Sequence, residues 1–478
     1  MSDNTKKTIT ADIAIIGAGS GGLSVAAGAA QMGAKTVLFE KGKMGGDCLN
    51  YGCVPSKALI AAGEAAQAIR ESGQFGVNGH EPAVDFAKVN AHVHGVIGAI
   101  APHDSVERFE GLGVRVIQDA ARFTGPNEIV AGDIRVKAKR FVIATGSSPM
   151  VPPIPGLDAV PHYTNETIFD LTEVPQHLIV VGGGPIGIEM AQAHRRLGSQ
   201  VTVVEAFGIM GKDDPDAVAV VRSRLEREGV ALRENTKVES VAGERNGVSV
   251  LVSANGQSER IEGSHLLISV GRRANVDGLG LDEAGVEHSP RSITVDARLR
   301  TTNKRIFAIG DVAGGYQFTH MAGYHAGIVI RNALFRLPSK VDYRAVPWVT
   351  YTEPELAQVG LLEAAAKEKD GKATATTFPF AENDRAQAER ATEGFAKAVI
   401  DGRGRIVGAT IVGKHAGELI LPWVLAVQKG LKVADMASII APYPTLSEVS
   451  KRAAGAYYTP KLFSERTRTL VRFLQRLP

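Results

Sequence analysis

Cysteine is nearly absent from this chain. Its 478 residues carry two, Cys48 and Cys53, both inside the stretch GGDCLNYGCVPSK. So few sulfurs exclude a disulfide-stapled scaffold, and two of them without a nearby His or further Cys make a poor zinc site. A charge excess is missing too. Lys and Arg total 54 against 51 Asp and Glu, a net charge of +3, too small a bias for the electrostatic footprint of a nucleic-acid binder. No apolar run approaches the ~18 residues of a membrane span, and the opening MSDNTKKTIT lacks the apolar core of a secretory signal. The expected compartment is the cytoplasm, where a close cysteine pair is redox-active or metal-binding rather than a staple.

What is abundant is glycine, 53 residues, above the usual ~7%. The length implies two to four domains, and the glycines reveal how two of them begin. ADIAIIGAGSGGLSVAAGAAQMGAKTVLFEK reads as a short apolar strand, a turn at Gly17, Gly19 and Gly22, an Ala-rich helix, and a second strand closed by Glu40. HLIVVGGGPIGIEMAQAHRRLGSQVTVVEA repeats the plan with Gly182, Gly184, Gly187 and Glu205. The interval from Gly17 to Glu40 equals that from Gly182 to Glu205, and Gly33 and Gly198 correspond at the same offset. In such a βαβ unit the glycines let a pyrophosphate approach the helix N-terminus, and the acid after the second strand bonds a ribose hydroxyl. The fold class is therefore α/β, with two Rossmann-like dinucleotide-binding domains.

Two further stretches support the first of them. RFVIATGSSP, with Ala144, Thr145 and Gly146, and RIFAIGDVAGG, with Gly310 and Asp311, each read as a strand ending in small residues against a cofactor. Asp311 suits a sugar or ribityl hydroxyl, or else simply opens a turn.

The cysteines have their own geometry. Residues five apart in an ideal helix lie about 8.7 Å apart at Cα, whereas a disulfide needs roughly 4.4–6.8 Å. A bridge between Cys48 and Cys53 thus requires a broken helical stretch, which Gly52 and Pro55 can supply. A helix starting near Pro55 would set Cys53 at its positive end and lower the thiol pKa toward ~3.5–7.5. A nicotinamide gives up hydride, which a disulfide accepts poorly, whereas a flavin accepts it and hands the electron pair on to sulfur. That chemistry needs one fold for FAD, one for NAD(P)H and one dithiol.

At this point the chain resembles the flavoprotein disulfide reductases, the family of dihydrolipoamide dehydrogenase, glutathione reductase and mercuric reductase. The likeness runs from DIAIIGAGSGG through GGDCLNYGCVPSK, VIATGS, VVGGGPIGIEMA, SVGRRAN, FAIGDVAGG and VPWVTYTEPELAQVG to PYPTLSEVSKRAA. It implies FAD at the Gly17 fold, NAD(P)H at the Gly182 fold and an α+β C-terminal dimerisation domain. The implied division is 1–152 and 276–345 for FAD, 153–275 for the nicotinamide cofactor, 346–458 for the dimer interface and 459–478 for a tail. It further implies Cys53 as the flavin-proximal thiolate, Cys48 as the interchange thiol, Lys57 and Glu189 as a pair near the reactive flavin nitrogen, and backbone or cofactor contact at Gly271 and Arg272. Glu205 favours NADH because a carboxylate repels a 2′-phosphate. Arg195, Arg196 and Lys212 stand near in sequence as cations that soften this and keep NADPH as the alternative.

Two features depart from the family pattern. Dihydrolipoamide and glutathione reductases carry a His-Pro followed by a Glu, contributed from the other subunit as acid/base; here the run is APYPTLSE, with Glu448 present and Tyr443 in place of the His. A phenol titrates near ~10 rather than ~6.5, and loss of a matched acid/base costs ~10²–10⁴ in rate. Mercuric reductases resemble the chain at this Tyr, yet they end in a cysteine pair, and LVRFLQRLP has none. His320 and His325, in FTHMAGYHAG, are second candidates for the missing base. The tail TPKLFSERTRTLVRFLQRLP places Phe463, Leu470, Val471, Leu474 and Leu477 on one helical stripe, with Arg466, Arg468, Arg472 and Arg476 mostly elsewhere. It suits the dimer's own surface or an anionic membrane. The expectation is a homodimeric FAD enzyme passing electrons from NADH through Cys48 and Cys53 to a small-molecule or protein disulfide, with Hg(II) reduction as the alternative. A redox sensor or membrane-docked electron-transfer partner is the reading from another class.

Overall fold

The computed structural model describes residues 7–477, and their contacts group into two compact units, 7–206 with 233–341 and 207–232 with 342–477. Strand β1 (Lys7–Ile16) lies at the centre of the first unit's main sheet. Its residues Ile13, Ala14 and Ile15 are fully buried, as expected for a parallel strand covered on both faces. Parallel neighbours flank it, β2 (Thr36–Phe39) on one side and Ile134–Ile143 on the other. Helix α1 (Ser20–Gln31) makes the crossover between β1 and β2, packing Val25, Ala26 and Ala29 into the apolar layer with Phe307 and Val329. The strand Ile306–Ala308 adds in parallel beside Ile134–Ile143 and so brings Gly310 and Asp311 to the same sheet end as Gly17.

The second βαβ follows the same physics. His177–Val181 pairs in parallel with Gln200–Val204 and with His265–Ile268, and the helix Pro185–Arg196 crosses over. The other unit is built differently, on a five-stranded antiparallel sheet ordered Pro347–Thr350, Glu355–Gly360, Ile406–Gly413, Phe395–Ile400, Thr374–Pro379. Trp423 is fully buried in its core and donates its indole N–H to Ser450 Oγ at 2.9 Å.

Residues 207–232, which continue the second βαβ in sequence, pack with this sheet. The reason is a buried ion cluster. Lys397 Nζ lies 2.8 Å from Asp214 Oδ2 and 2.7 Å from Asp216 Oδ2, and Gln358 accepts from the Asp214 N–H at 2.7 Å. A lysine buried to this degree stays charged only with such partners, so packing groups this stretch differently from the motif. The two peptide bonds Glu353–Pro354 and Tyr443–Pro444 are cis.

Candidate functional site

The two glycine turns are near copies. Gly17 has φ +102 and Gly182 φ +111, both in the left-handed region that suits glycine. A Cβ on Gly22 would stand 1.8 Å from Gly17 O, and one on Gly187 2.0 Å from Gly182 O. The helices behind them begin at Gly19 and Gly184 with no side-chain cap, which leaves their first N–H groups directed at an anion. Glu40 accepts from the Ala18 N–H at 2.6 Å, and Glu205 from the Gly183 N–H at 2.6 Å. Each acid is thereby fixed beside its own turn, where a ribose hydroxyl meets it. These residues fit dinucleotides twice over. Arg195 and Arg196 stand away from the second glycine turn. They occupy the last turn of the helix, roughly 15 Å along it from the phosphate end; Arg195 bonds Ser199 O at 3.2 Å and Arg196 is buried.

The cysteine segment packs directly on the first turn: a Cβ on Gly46 would come within 2.6 Å of Gly19 Cα. Here α2 (Gly46–Asn50) ends, Tyr51 and Gly52 break the helix, and α3 (Cys53–Glu71) begins. Cys53 is therefore the first helical residue, two positions earlier than the Pro55 start the sequence suggests. Both thiols are free in this structure. The hydrogen bond from Cys48 is the largest influence lowering Cys53, to about 6, with Thr319 and Lys57 assisting; the same shared proton, with burial, pushes Cys48 far up. The pair thus holds one proton on Cys48 and the charge on Cys53. Thr319 Oγ1, at the start of the helix Thr319–Ala333, lies 3.3 Å from Cys53 Sγ. One turn along α3, Lys57 Nζ meets Glu189 Oε2 at 2.9 Å, with the Glu189 side chain buried. Glu189 is thus a buried ion-pair partner rather than an exposed helix acid.

Arg272 ties the surrounding turns together. Its guanidinium reaches Asp47 Oδ1 at 3.1 Å, Ser147 Oγ at 2.7 Å and Ser147 O at 2.8 Å, while Ser147 Oγ donates to Asp311 Oδ2 at 2.5 Å. Asp47 precedes Cys48, so this arginine anchors the cysteine helix. Asn165 holds the same acid and Tyr51 O, each at 3.1 Å. Burial raises the Asp311 pKa, and the Ser147 bond and Arg272 oppose it. Thr145 and Asn275 exchange hydrogen bonds at 2.8 and 3.0 Å, and Gly146 O accepts from the Asn275 N–H, so this turn is braced by the Gly271–Asn275 segment. A Cβ on Gly17 would stand 2.4 Å from Ala144 O.

His325 is buried and its Nδ1 accepts from the Gly310 N–H at 3.2 Å; burial lowers its pKa to about 4. It supports the turn, and burial disfavours its protonated form. His320 is exposed and stacks on Phe318 at 5.1 Å between ring centroids.

In the other unit, Tyr443 is 70% exposed and donates to Asp384 Oδ2 at 2.9 Å, a bond that raises its pKa. Glu448 begins the helix Glu448–Ala456 and acts on Tyr443 only as a weaker charge. Thr319, Ser147, Asp47, Asn165 and Asp384 carried no sequence signal, because each acts through a partner far away in the chain.

The chain belongs to the pyridine nucleotide-disulphide oxidoreductases. That family matches residues 11–326, and its dimerisation domain matches 346–454. Dihydrolipoyl dehydrogenase of Geobacillus stearothermophilus is 37% identical over 455 residues, covering 93% of this chain and 96% of the relative. Mercuric reductase of Streptomyces lividans is 35% identical over 454 residues with the same coverages. Among solved structures, LpdA of Mycobacterium tuberculosis superposes with a TM-score of 0.85 at 29% identity, covering 93% of this chain and 99% of that one. The Cu(II) complex of the HOCl-induced flavoprotein disulfide reductase RclA of Escherichia coli gives 0.83 at 28%, over 92% and 99%. Family members use FAD and NAD(P)H. Among the described residues no helix is long and apolar enough to cross a membrane.

Proposed function

We propose that this chain is a cytoplasmic, homodimeric, FAD-dependent NAD(P)H:disulfide oxidoreductase of the dihydrolipoamide dehydrogenase type, with NADH as the preferred donor. The observation that carries the reading is the helix break between α2 and α3, which sets Cys53 at a helix N-terminus with Cys48 as its proton-sharing partner. FAD, when bound, supplies the two-electron link between reduced nicotinamide and sulfur. Residues 1–152 and 276–345 would hold it through the Gly17, Gly19, Gly22 and Glu40 turn and Asp311, and residues 153–275 would hold the nicotinamide cofactor. Lys57 and Glu189 are assigned to the flavin's reactive edge.

Cys48 does the exchange. Its sulfur, once deprotonated, attacks the acceptor disulfide, forming a mixed disulfide and expelling one thiolate. Cys53 then attacks Cys48, expelling the second thiolate and closing the Cys48–Cys53 disulfide. The acceptor gains two electrons and, from solvent or a neighbouring acid, two protons. Tyr443 is a poor base for this step, because its hydrogen bond to Asp384 keeps it protonated. That favours acceptors needing little proton transfer and sustains Hg(II) as the second substrate class. The partners that follow are a disulfide-bearing molecule and a second copy of the chain.

The test compares NADH-dependent reduction of lipoamide and of Hg(II) in excess thiol by the wild type and Tyr443→His. Lipoamide turnover by the wild type, abolished in Cys48→Ser, supports the dehydrogenase-type reading. Hg(II) reduction with negligible lipoamide turnover, rising in Tyr443→His, transfers the assignment to the metal. Neither activity in a fully flavinylated protein rejects both.

A further inference from the structure

We infer that the C-terminal tail is a peripheral docking helix for an anionic lipid surface. The stretch does not form one continuous stripe. A short turn, Thr459–Leu462, ends before Phe463, and Ser464 caps a separate helix, Glu465–Leu474, by accepting from the Thr467 N–H. None of the residues in these two helices is buried in its own unit. Leu462, Phe463, Leu470, Phe473, Leu474 and Leu477 are exposed, Phe463 to 66% and Phe473 to 59%.

At 3.6 residues per turn Leu470, Phe473 and Leu474 share one side of the helix Glu465–Leu474, with Arg466 among them, while Arg468 and Arg472, and Arg476 just beyond, follow one another at helical spacing on the other side. The charge decides the occupant. From Lys461 to Arg476 the tail holds five cations and one carboxylate, Glu465. Only Arg468 is paired with that carboxylate, at 3.1 Å, and Arg466, Arg472 and Arg476 make no ion pair among the described residues. A helix that gathers its apolar side chains on one side and three of its four arginines on the other lies in the headgroup plane of an anionic bilayer. A second copy is a poorer match: the family's dimerisation domain matches 346–454, short of the tail. Docking is independent of which acceptor the dithiol serves.

The experiment is sedimentation of the full-length holoprotein with vesicles of phosphatidylglycerol and phosphatidylcholine in equal parts, against vesicles of phosphatidylcholine alone. Binding is expected to the anionic vesicles only, weakening as salt rises, lost on deletion of 459–478, and reduced at least about tenfold in Arg466→Gln/Arg472→Gln/Arg476→Gln. Flavin content and dimer mass should be unchanged in both variants, and Leu470→Ser/Leu474→Ser should also lose binding. Equal binding to both vesicle types, binding retained by the truncated chain, or a truncated chain that becomes monomeric would each overturn the inference. The last outcome would assign the apolar side to the second copy.

Discussion

The two glycine turns share φ values, steric limits and an acid bonded to the turn, yet they sit in different surroundings. The first is closed in. Gly46 of the cysteine segment packs on Gly19, and a Cβ on Gly21 would meet Ile309 and Ala322. At the second turn, a Cβ on Gly184 would meet nothing within 4 Å, and Ile186 beside it is partly exposed. The same local sequence thus makes a site walled by other elements in one place and an open one in the other. A walled site suits a cofactor that stays, and an open site suits one that exchanges each turnover.

The largest effects should come from the turns themselves. Gly22→Ala puts a Cβ against Gly17 O in the walled site and is expected to cost on the order of 3 kcal/mol and to yield colourless protein. Gly187→Ala should leave the yellow flavin in place while raising the KM for NADH about tenfold or more. Absorbance per protein and steady-state kinetics check both, and flavin loss in Gly187→Ala would break the distinction.

Acid should undo the halves in parallel. His194 lies in the second βαβ helix, stacked on Phe86 at 5.9 Å, with neither ring nitrogen hydrogen-bonded among the described residues; His325 supports Gly310 in the first. Burial lowers both to about 4 from the usual 6.5. A depressed pKa gives stability that is present above pH 6.5 and lost as the pH falls toward 4, about 3 kcal/mol for each histidine. Denaturant titrations between pH 7 and pH 4 should show the loss, and His194→Phe should remove its share while leaving the His325 share intact.

A smaller effect belongs to the wall of the first site. Thr319→Val removes a hydrogen-bond donor from Cys53 and should raise its titration midpoint from about 6 by about one unit, with Thr319→Ser restoring it. The pH dependence of thiol alkylation in the reduced protein reads this directly.

Much of this was legible in the sequence. The repeated interval from Gly17 to Glu40 and from Gly182 to Glu205 specified both βαβ units, because strand, turn, helix and acid are all local. The break at Gly52 was legible for the same reason, to within two residues. Arg272 was legible only as a backbone or cofactor contact, which its bond to Ser147 O matches; its hold on Asp47 and the neighbourhood of Asp311 was not, because these come from distant segments. The grouping of 207–232 with the antiparallel sheet depended on Lys397 finding Asp214 and Asp216. Asp384, the partner of Tyr443, stands in a different helix from the motif that flagged Tyr443. Local pattern reveals backbone devices, and long-range pairing decides which side chain serves them.

The most direct measurement is an anaerobic titration of the oxidised holoprotein with NADH, counting alkylatable thiols at each step. A resident flavin relaying through Cys48 and Cys53 requires two equivalents of NADH for full reduction, with two new thiols appearing by the end of the first. Cys48→Ser should require one equivalent and release none. A wild type that is fully reduced by one equivalent, with no new thiols, would contradict the relay and leave a flavin enzyme whose cysteines take no part.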